Sequence, residues 1–313
     1  MAAVSPHAAR YWERVTGLPD ASGGSDSVRC TLCPNRCIIR EGCAGRCRIR
    51  INEGGSLAAS AYGVVSSLAL DPIEKKPFAH YYPGSFILSL GSFGCNLSCK
   101  FCQNHEISQT GVPSEPLERT FAGRAFARHA PEELVAEART LIPRGNIGLA
   151  YTYNEPFTNF EFVSDTAILS REAGLKNVLV TNGYVNPEPL AEIAPYIDAM
   201  NIDLKSWTDS FYSEICGGRI EPVKATIETL AARYPSCHIE ITTLLIPGFN
   251  SARDEIASLS GWLASISPDI PLHLTRHHPD YLMSSPGPIE VRELLALADL
   301  ARKKLNHVHC GNI

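Results

Sequence analysis

From Phe86 onward, short apolar runs alternate with longer stretches of helical periodicity, and no other feature restricts the fold as much. Candidate strands are 86–90, 147–152, 177–181, 199–204, 238–245 and 271–275. Candidate helices are 131–141, 157–173, 187–194, 222–232 and 254–266, and a last helix, 288–305, closes the chain. Strands that are apolar throughout and separated by helices must pair in parallel, because the crossover helices cover both faces of the sheet. The expected fold class is therefore α/β, an open, partial (β/α)6 TIM-like barrel rather than the closed eight. Upstream, a helical pattern over 8–16 precedes a Gly/Ser/Asp linker at 21–27. Residues 47–66 alternate around Gly54-Gly55 as a hairpin. The Pro- and aromatic-rich stretch 71–84 reads as irregular chain wrapping the core, either a packed connector or a substrate contact, and the polar stretch 111–130 as a loop able to cover the barrel mouth. This divides the chain into a Cys-rich N-terminal module with its hairpin (1–80) and the barrel (81–313).

Composition narrows the function classes. The 313 residues carry a net charge of -5, with 44% hydrophobic and 19% charged residues, as in soluble globular proteins. A pI near 6.1 gives no reason to expect a nucleic-acid or anionic-membrane partner. No apolar run reaches membrane-spanning length and no secretory leader pattern is visible. Eleven cysteines, odd in number and clustered, point to metal ligation in a reducing cytoplasm rather than to disulfides.

Three of them form Cys95-x3-Cys99-x2-Cys102 just after the first barrel strand. Thiolates at this spacing can hold three corners of one iron–sulfur cluster and leave one iron open for chemistry. A zinc knuckle or three unrelated thiols are the bland alternatives. The neighbouring Gly91-x-x-Gly94 lacks the remaining residues of a nucleotide loop. Upstream, Cys30, Cys33, Cys37, Cys43 and Cys47 fall within eighteen residues. They fit either a four-cysteine zinc site or a second iron–sulfur cluster. Pro and Gly turns between paired cysteines favour zinc, with Cys30, Cys33, Cys37 and Cys47 as ligands and Cys43 spare. Cys216, Cys237 and Cys310 read as buried or incidental thiols.

In parallel β/α architectures, functional groups collect at the carboxyl ends of strands. Cys95 follows the first strand, and Asn154-Glu155-Pro156 the second. Thr181-Asn182-Gly183 and Asp203-Leu204-Lys205 end the third and fourth. Thr242 and Thr243 mark the fifth strand, and His273 and Arg276 the sixth. Six separate segments are thus expected to point into one mouth.

The Cys95, Cys99, Phe101, Cys102 pattern resembles the radical S-adenosylmethionine (SAM) superfamily. Further stretches, namely Cys30-x2-Cys33-Pro-x2-Cys37, the segment Asp71 to Pro77, Gly94 to Asn104, Thr152 to Pro156 and Pro279-Asp280-Tyr281, resemble the AmmeMemoRadiSam-system radical SAM enzymes. These are similar to the pyruvate formate-lyase activating enzymes, and the resemblance runs from about Tyr11 to Asn312. It implies a [4Fe–4S] cluster on Cys95, Cys99 and Cys102, SAM as cofactor, and reductive cleavage to a 5′-deoxyadenosyl radical that abstracts hydrogen. It further implies that Glu155 accepts from the methionyl amine, where the family has Gly-Gly-Glu-Pro, and that Lys205 meets the carboxylate. Asn182 would bind ribose hydroxyls, and His273 would approach the adenine. The bland alternatives are a helix cap for Glu155, a surface lysine for Lys205, a turn for Asn182-Gly183 and a structural histidine for His273. In the activases an Asp-Thr-Asn-Gly and Asp-Leu-Lys pattern lines a monovalent-cation and SAM site. Here Asp203 and Lys205 are kept but Val180 replaces the first aspartate. The implied partners are a flavodoxin- or ferredoxin-type electron donor and, for an activase, a glycine of a protein substrate. Radical chemistry on another peptide or small molecule is the second reading. A non-catalytic iron–sulfur or zinc protein that relays electrons or docks partners is the third.

Overall fold

An eight-stranded sheet organises the chain in a computed structural model that describes residues 7–15, 27–113, 120–121 and 124–313. The order from one edge is Val308–Gly311, Leu272–Arg276, His238–Leu245, Ala199–Asp203, Lys176–Thr181, Asn146–Tyr151, Phe86–Gly91 and Ser67–Pro72. Seven of these strands run parallel, and Ser67–Pro72 pairs antiparallel with Phe86–Gly91. The two end strands do not pair, so the barrel is open, as the strand–helix alternation implies.

All six expected strands are present, with bounds moved by a residue or so. Two more were not foreseen. The closing helix ends at Ala301, and the chain turns back into Val308–Gly311 as a seventh parallel strand. At the other edge Ser67–Pro72 occupies part of the stretch read as irregular, so the sheet reaches upstream of residue 80. The helices form for the expected reason. In Val291–Ala301 the buried residues Leu294, Leu297, Ala298 and Ala301 recur at helical spacing. Between Asn146 and Leu149 the pairing with Phe86–Gly91 shifts register. The Asn146 side chain bridges the gap, accepting the Leu88 N–H (2.9 Å) and donating to the Ala138 carbonyl (2.7 Å).

The stretch after Ser67–Pro72 does not wrap the core; it enters the barrel. Asn201 donates to the Pro77 carbonyl at 2.7 Å, and the Ala79 and His80 N–H groups donate to the buried Glu240 carboxylate at 3.0 and 2.8 Å. His238 and His273 hold the same carboxylate from neighbouring strands, at 2.9 and 2.5 Å. Burial alone would raise the Glu240 pKa, but these four donors keep it well below the usual carboxylate range.

The N-terminal module consists of two small antiparallel sheets. Arg50–Glu53 and Ser56–Ala59 form the expected hairpin, whose Gly54 and Gly55 both have positive φ (62° and 70°), as a two-residue type I′ turn requires. His7–Ala8 extends this sheet, while Trp12–Arg14 pairs with Val28–Cys30 and that strand with Ile38–Ile39. The helix expected at 8–16 is therefore two strands. Tyr11 has φ 56°, which interrupts a right-handed helix, and cross-strand pairing overrides the local periodicity. The module is fastened by a fully buried ion pair. Arg50 Nη1 and Nη2 meet Glu161 Oε2 and Oε1 at 3.0 and 3.1 Å, and Glu161 lies on the helix Phe160–Glu172. Most of the linker at 21–27, like residues 114–119 and 122–123 of the expected mouth loop, lies outside the described residues. Ala127–Arg128, from that same loop, instead pairs with Val64–Val65.

Candidate active site at the barrel mouth

The loop carrying the three cysteines begins where Phe86–Gly91 ends, and other segments fix it on several sides. Asn154 accepts from Ser92 N–H (2.8 Å) and donates to the Phe93 and Gly94 carbonyls (2.9 and 3.1 Å). Ser98 and Lys100 N–H donate to the Cys216 and Ile215 carbonyls at 2.8 and 3.0 Å. Gly94 has φ 83°, and a Cβ there would stand 2.4 Å from the Cys47 carbonyl oxygen, so only glycine lets the loop pass the N-terminal module this closely.

A cavity of about 750 Å³ opens beside the loop. Cys95, Cys99 and Cys102 line it together with Glu155, Asn182, Asp203, Lys205, Thr242 and His273, whereas Thr243 and Arg276, also expected at the mouth, turn instead to the Leu204 and Ile289 carbonyls. Val180 lines it as well, an apolar wall where the activase pattern has a carboxylate. The thiols do not yet face one another as ligands. Cys95 Sγ accepts from Leu97 N–H (3.4 Å) and Asn182 Nδ2 (3.5 Å), Cys102 Sγ lies 3.1 Å from Ser108 Oγ, and the free Cys216 thiol lies against Cys99. Among the described residues no three His, Cys, Asp or Glu side chains form a ready-made ligand set. The Cys216 thiol and burial hold Cys99 well above a free thiol's pKa, burial does the same for Cys95, and burial raises Cys102.

Glu155 is the helix cap that its simpler reading expects, and its carboxylate has further partners. It caps the short 3-10 helix Pro156–Asn159 through Phe157 N–H (3.0 Å), while its carboxylate also accepts from Thr181 Oγ1 (2.7 Å) and Asn182 N–H (2.8 Å). A carboxylate offers about four acceptor positions, so a place for one further donor remains on Oε2. Burial raises its pKa from 4.5 to about 7 against the pull of these donors. The Asn182 amide is committed to the protein. Its Nδ2 donates to Asn96 Oδ1 (2.9 Å) and Cys95, and its Oδ1 accepts Tyr184 N–H (2.8 Å). Lys205 is no ordinary surface lysine: its Nζ is 2.8 Å from Asp203 Oδ2 and 5.9 Å from the Phe101 ring centre. Burial works against its charge, yet Asp203 and the Cys99 and Cys216 sulfurs hold its pKa well above the free value. His273 lies one residue into its strand, in register with Thr242 and Asp203, and is satisfied by Glu240.

Two groups escaped the sequence reading. Cys216, taken as incidental, sits against Cys99. Asp71, Lys76 and Tyr153 form a second wall of polar groups. Tyr153 Oη donates to Asp71 Oδ2 (2.7 Å), and Lys76 Nζ meets the same oxygen (2.9 Å) and Tyr153 Oη (3.1 Å). Lys76 and Tyr153 line the cavity, with Tyr153 in the left-handed region at φ 70°. Two lysines beside an aspartate in a proline-flanked stretch were the available signal.

The chain is similar to several known proteins. An uncharacterized protein of Methanocaldococcus jannaschii is 39% identical over 290 residues, 92% of this chain and 82% of that one. The isethionate sulfite-lyase activating enzyme of Nitratidesulfovibrio vulgaris is 28% identical over 120 residues, 37% of this chain and 38% of that one. The crystal structure of Streptococcus suis SuiB bound to S-adenosylmethionine shares the fold (TM-score 0.53, 14% identity, 72% of this chain and 51% of that one). The Radical SAM superfamily model matches residues 90–259, from the end of the first parallel strand through the fifth and across the cysteine loop, and the chain belongs to that superfamily.

Proposed function

We propose that Cys95, Cys99 and Cys102 ligate a [4Fe–4S] cluster and that the adjoining cavity binds SAM for radical hydrogen abstraction of the activating-enzyme kind. Superfamily membership implies both cofactors. When bound, they supply one-electron cleavage of the sulfonium to a 5′-deoxyadenosyl radical. The observation that carries the reading is that three thiols from one eight-residue loop line the same cavity as Glu155 and Lys205. The donor set fits the cluster: three thiols leave an iron position open, and amide donors from Leu97 and Asn182 already face Cys95. The cavity volume lies within the range of about 300–1,000 Å³ usual for small-molecule sites.

The chain's own residues bind and orient. Glu155 offers its remaining acceptor position to an ammonium group, and Lys205, steadied by Asp203, presents positive charge to a carboxylate. Asn182 acts on Cys95 and Asn96 rather than on a sugar, so its assigned part is to hold the loop. Glu240 anchors the segment 74–79 in the cavity wall by accepting from the Ala79 and His80 N–H groups. The activating-enzyme kind is favoured by the relative named as an isethionate sulfite-lyase activating enzyme. A flavodoxin- or ferredoxin-type donor would supply the electron.

Anaerobic reconstitution followed by dithionite and SAM tests the chemistry. Wild-type protein is expected to release 5′-deoxyadenosine and methionine, and Cys99→Ala to release neither. Equal release by Cys99→Ala, or none by wild type, overturns the proposal. A glycine-centred electron paramagnetic resonance signal on a partner protein separates activation from chemistry on another peptide or small molecule.

A further inference from the structure

The N-terminal module holds a second constellation of thiols. Cys30, Cys33, Cys37 and Cys47, from three separate turns and strands, line one small enclosed cavity with Arg50 and Asn96. Cys43 is exposed and does not reach it. The Cys37 sulfur accepts the Arg46 N–H at 3.4 Å, an amide already aimed at one of the four sulfurs. Arg50 adds a second, independent sign. It is 1% exposed, and its Nε–H has no hydrogen-bond partner among the described residues, although both Nη atoms are occupied by Glu161. A buried donor left over beside four sulfurs is a site awaiting negative charge.

We infer that Cys30, Cys33, Cys37 and Cys47 bind a single zinc ion that braces the cysteine loop of the barrel mouth. Size selects the ion. The cavity among the thiols is about 10 Å³, close to the volume of about 10–15 Å³ that one water molecule requires, which favours a single ion over a four-iron cubane. Four sulfurs at about 2.3 Å around one ion make the closed tetrahedral site of a structural zinc. The thiols surround the cavity without being closed on one centre, and the ion closes them. Its tetrathiolate would carry a net double negative charge, toward which the unused Arg50 Nε–H and the Arg46 N–H are available donors.

The brace runs through Asn96. Asn35, in the turn between Cys33 and Cys37, donates to the Asn96 carbonyl at 2.7 Å. The Asn96 side chain accepts from Asn182 at 2.9 Å and donates to the Tyr184 carbonyl, next to Cys95. Asn186 ties the same knuckle to the barrel through the Leu32 and Thr31 carbonyls. Losing the ion therefore loosens the backbone beside Cys95.

The inference stands apart from SAM chemistry and is tested without it. Full-length protein is expected to hold about one zinc per chain, with X-ray absorption showing about four sulfurs at about 2.3 Å. Cys33→Ser and Cys47→Ser should lose the zinc, whereas Cys43→Ser keeps it. Zinc retained by both of the first two variants, or a wild-type chain with about eight irons and no zinc, overturns the inference. Should the serine variants fail to fold, cobalt decides. A chain with Cys95, Cys99 and Cys102 all changed to alanine should bind about one cobalt with thiolate charge-transfer and tetrahedral d–d bands. A chain that shows neither band overturns it equally.

Discussion

Glu155→Gln separates the charge of this side chain from its hydrogen bonds. The carboxylate accepts from Phe157 N–H, Thr181 Oγ1 and Asn182 N–H. Glutamine keeps an oxygen for the first two but turns its NH2 group toward Asn182 N–H. That orphaned buried donor costs about 1–3 kcal/mol at any pH. The charge acts in the opposite sense. Because burial lifts the Glu155 pKa from 4.5 to about 7, the folded chain keeps a proton that the unfolded chain has already lost. The contribution to stability is fully present below pH 4.5 and is lost as pH rises through 7. The difference, 7 − 4.5 = 2.5, at about 1.4 kcal/mol per pKa step gives about 3 kcal/mol by pH 8. Glutamine carries no such dependence. Urea denaturation of the metal-free chain should therefore find Glu155→Gln less stable than wild type by about 1–3 kcal/mol near pH 5. Near pH 8 the deficit should shrink by about 2–3 kcal/mol and vanish or reverse. An equal deficit at both pH values would refute the reasoning, because the carboxyl would then be ionised throughout.

Gly94→Ala places a Cβ 2.4 Å from the Cys47 carbonyl at φ 83°, so the cysteine loop must move. Iron bound after reconstitution should fall severalfold, whereas Gly42→Ala, with positive φ but open space, should leave iron unchanged. Arg50→Ala leaves Glu161 buried and unpaired, and the loss in urea denaturation should be about 3–5 kcal/mol. The double change Arg50→Met with Glu161→Met should recover most of it, since no buried charge then remains.

Much of the fold was legible because its signals are local. Each of the six expected parallel strands is a short apolar run, and each crossover helix has its own 3.6-residue periodicity, so window-by-window reading finds them. The two unforeseen strands have no such autonomy. Ser67–Pro72 and Val308–Gly311 are edge strands, each paired on one side, and their residues acquire strand geometry only against Phe86–Gly91 and Leu272–Arg276. The region around Trp12 misled for the same reason, its apolar spacing suiting a helix until Val28–Cys30 pairs with it.

At the mouth, covalent spacing determined which thiols lie together, since eight residues of loop cannot carry Cys95, Cys99 and Cys102 far apart. Strand-end logic likewise fixed that Glu155, Asp203 and Lys205 face one cavity. What each group does there depended largely on neighbours remote in sequence. Asn182 is turned to Cys95 and Asn96, His273 to Glu240, and Lys76 to Tyr153 as well as to the nearby Asp71. A side chain's chemical type and its strand-end position are written in the chain. Its hydrogen-bond partners and its burial, and hence its charge state, exist only once segments a hundred residues apart are packed together, and those the tertiary structure alone decided.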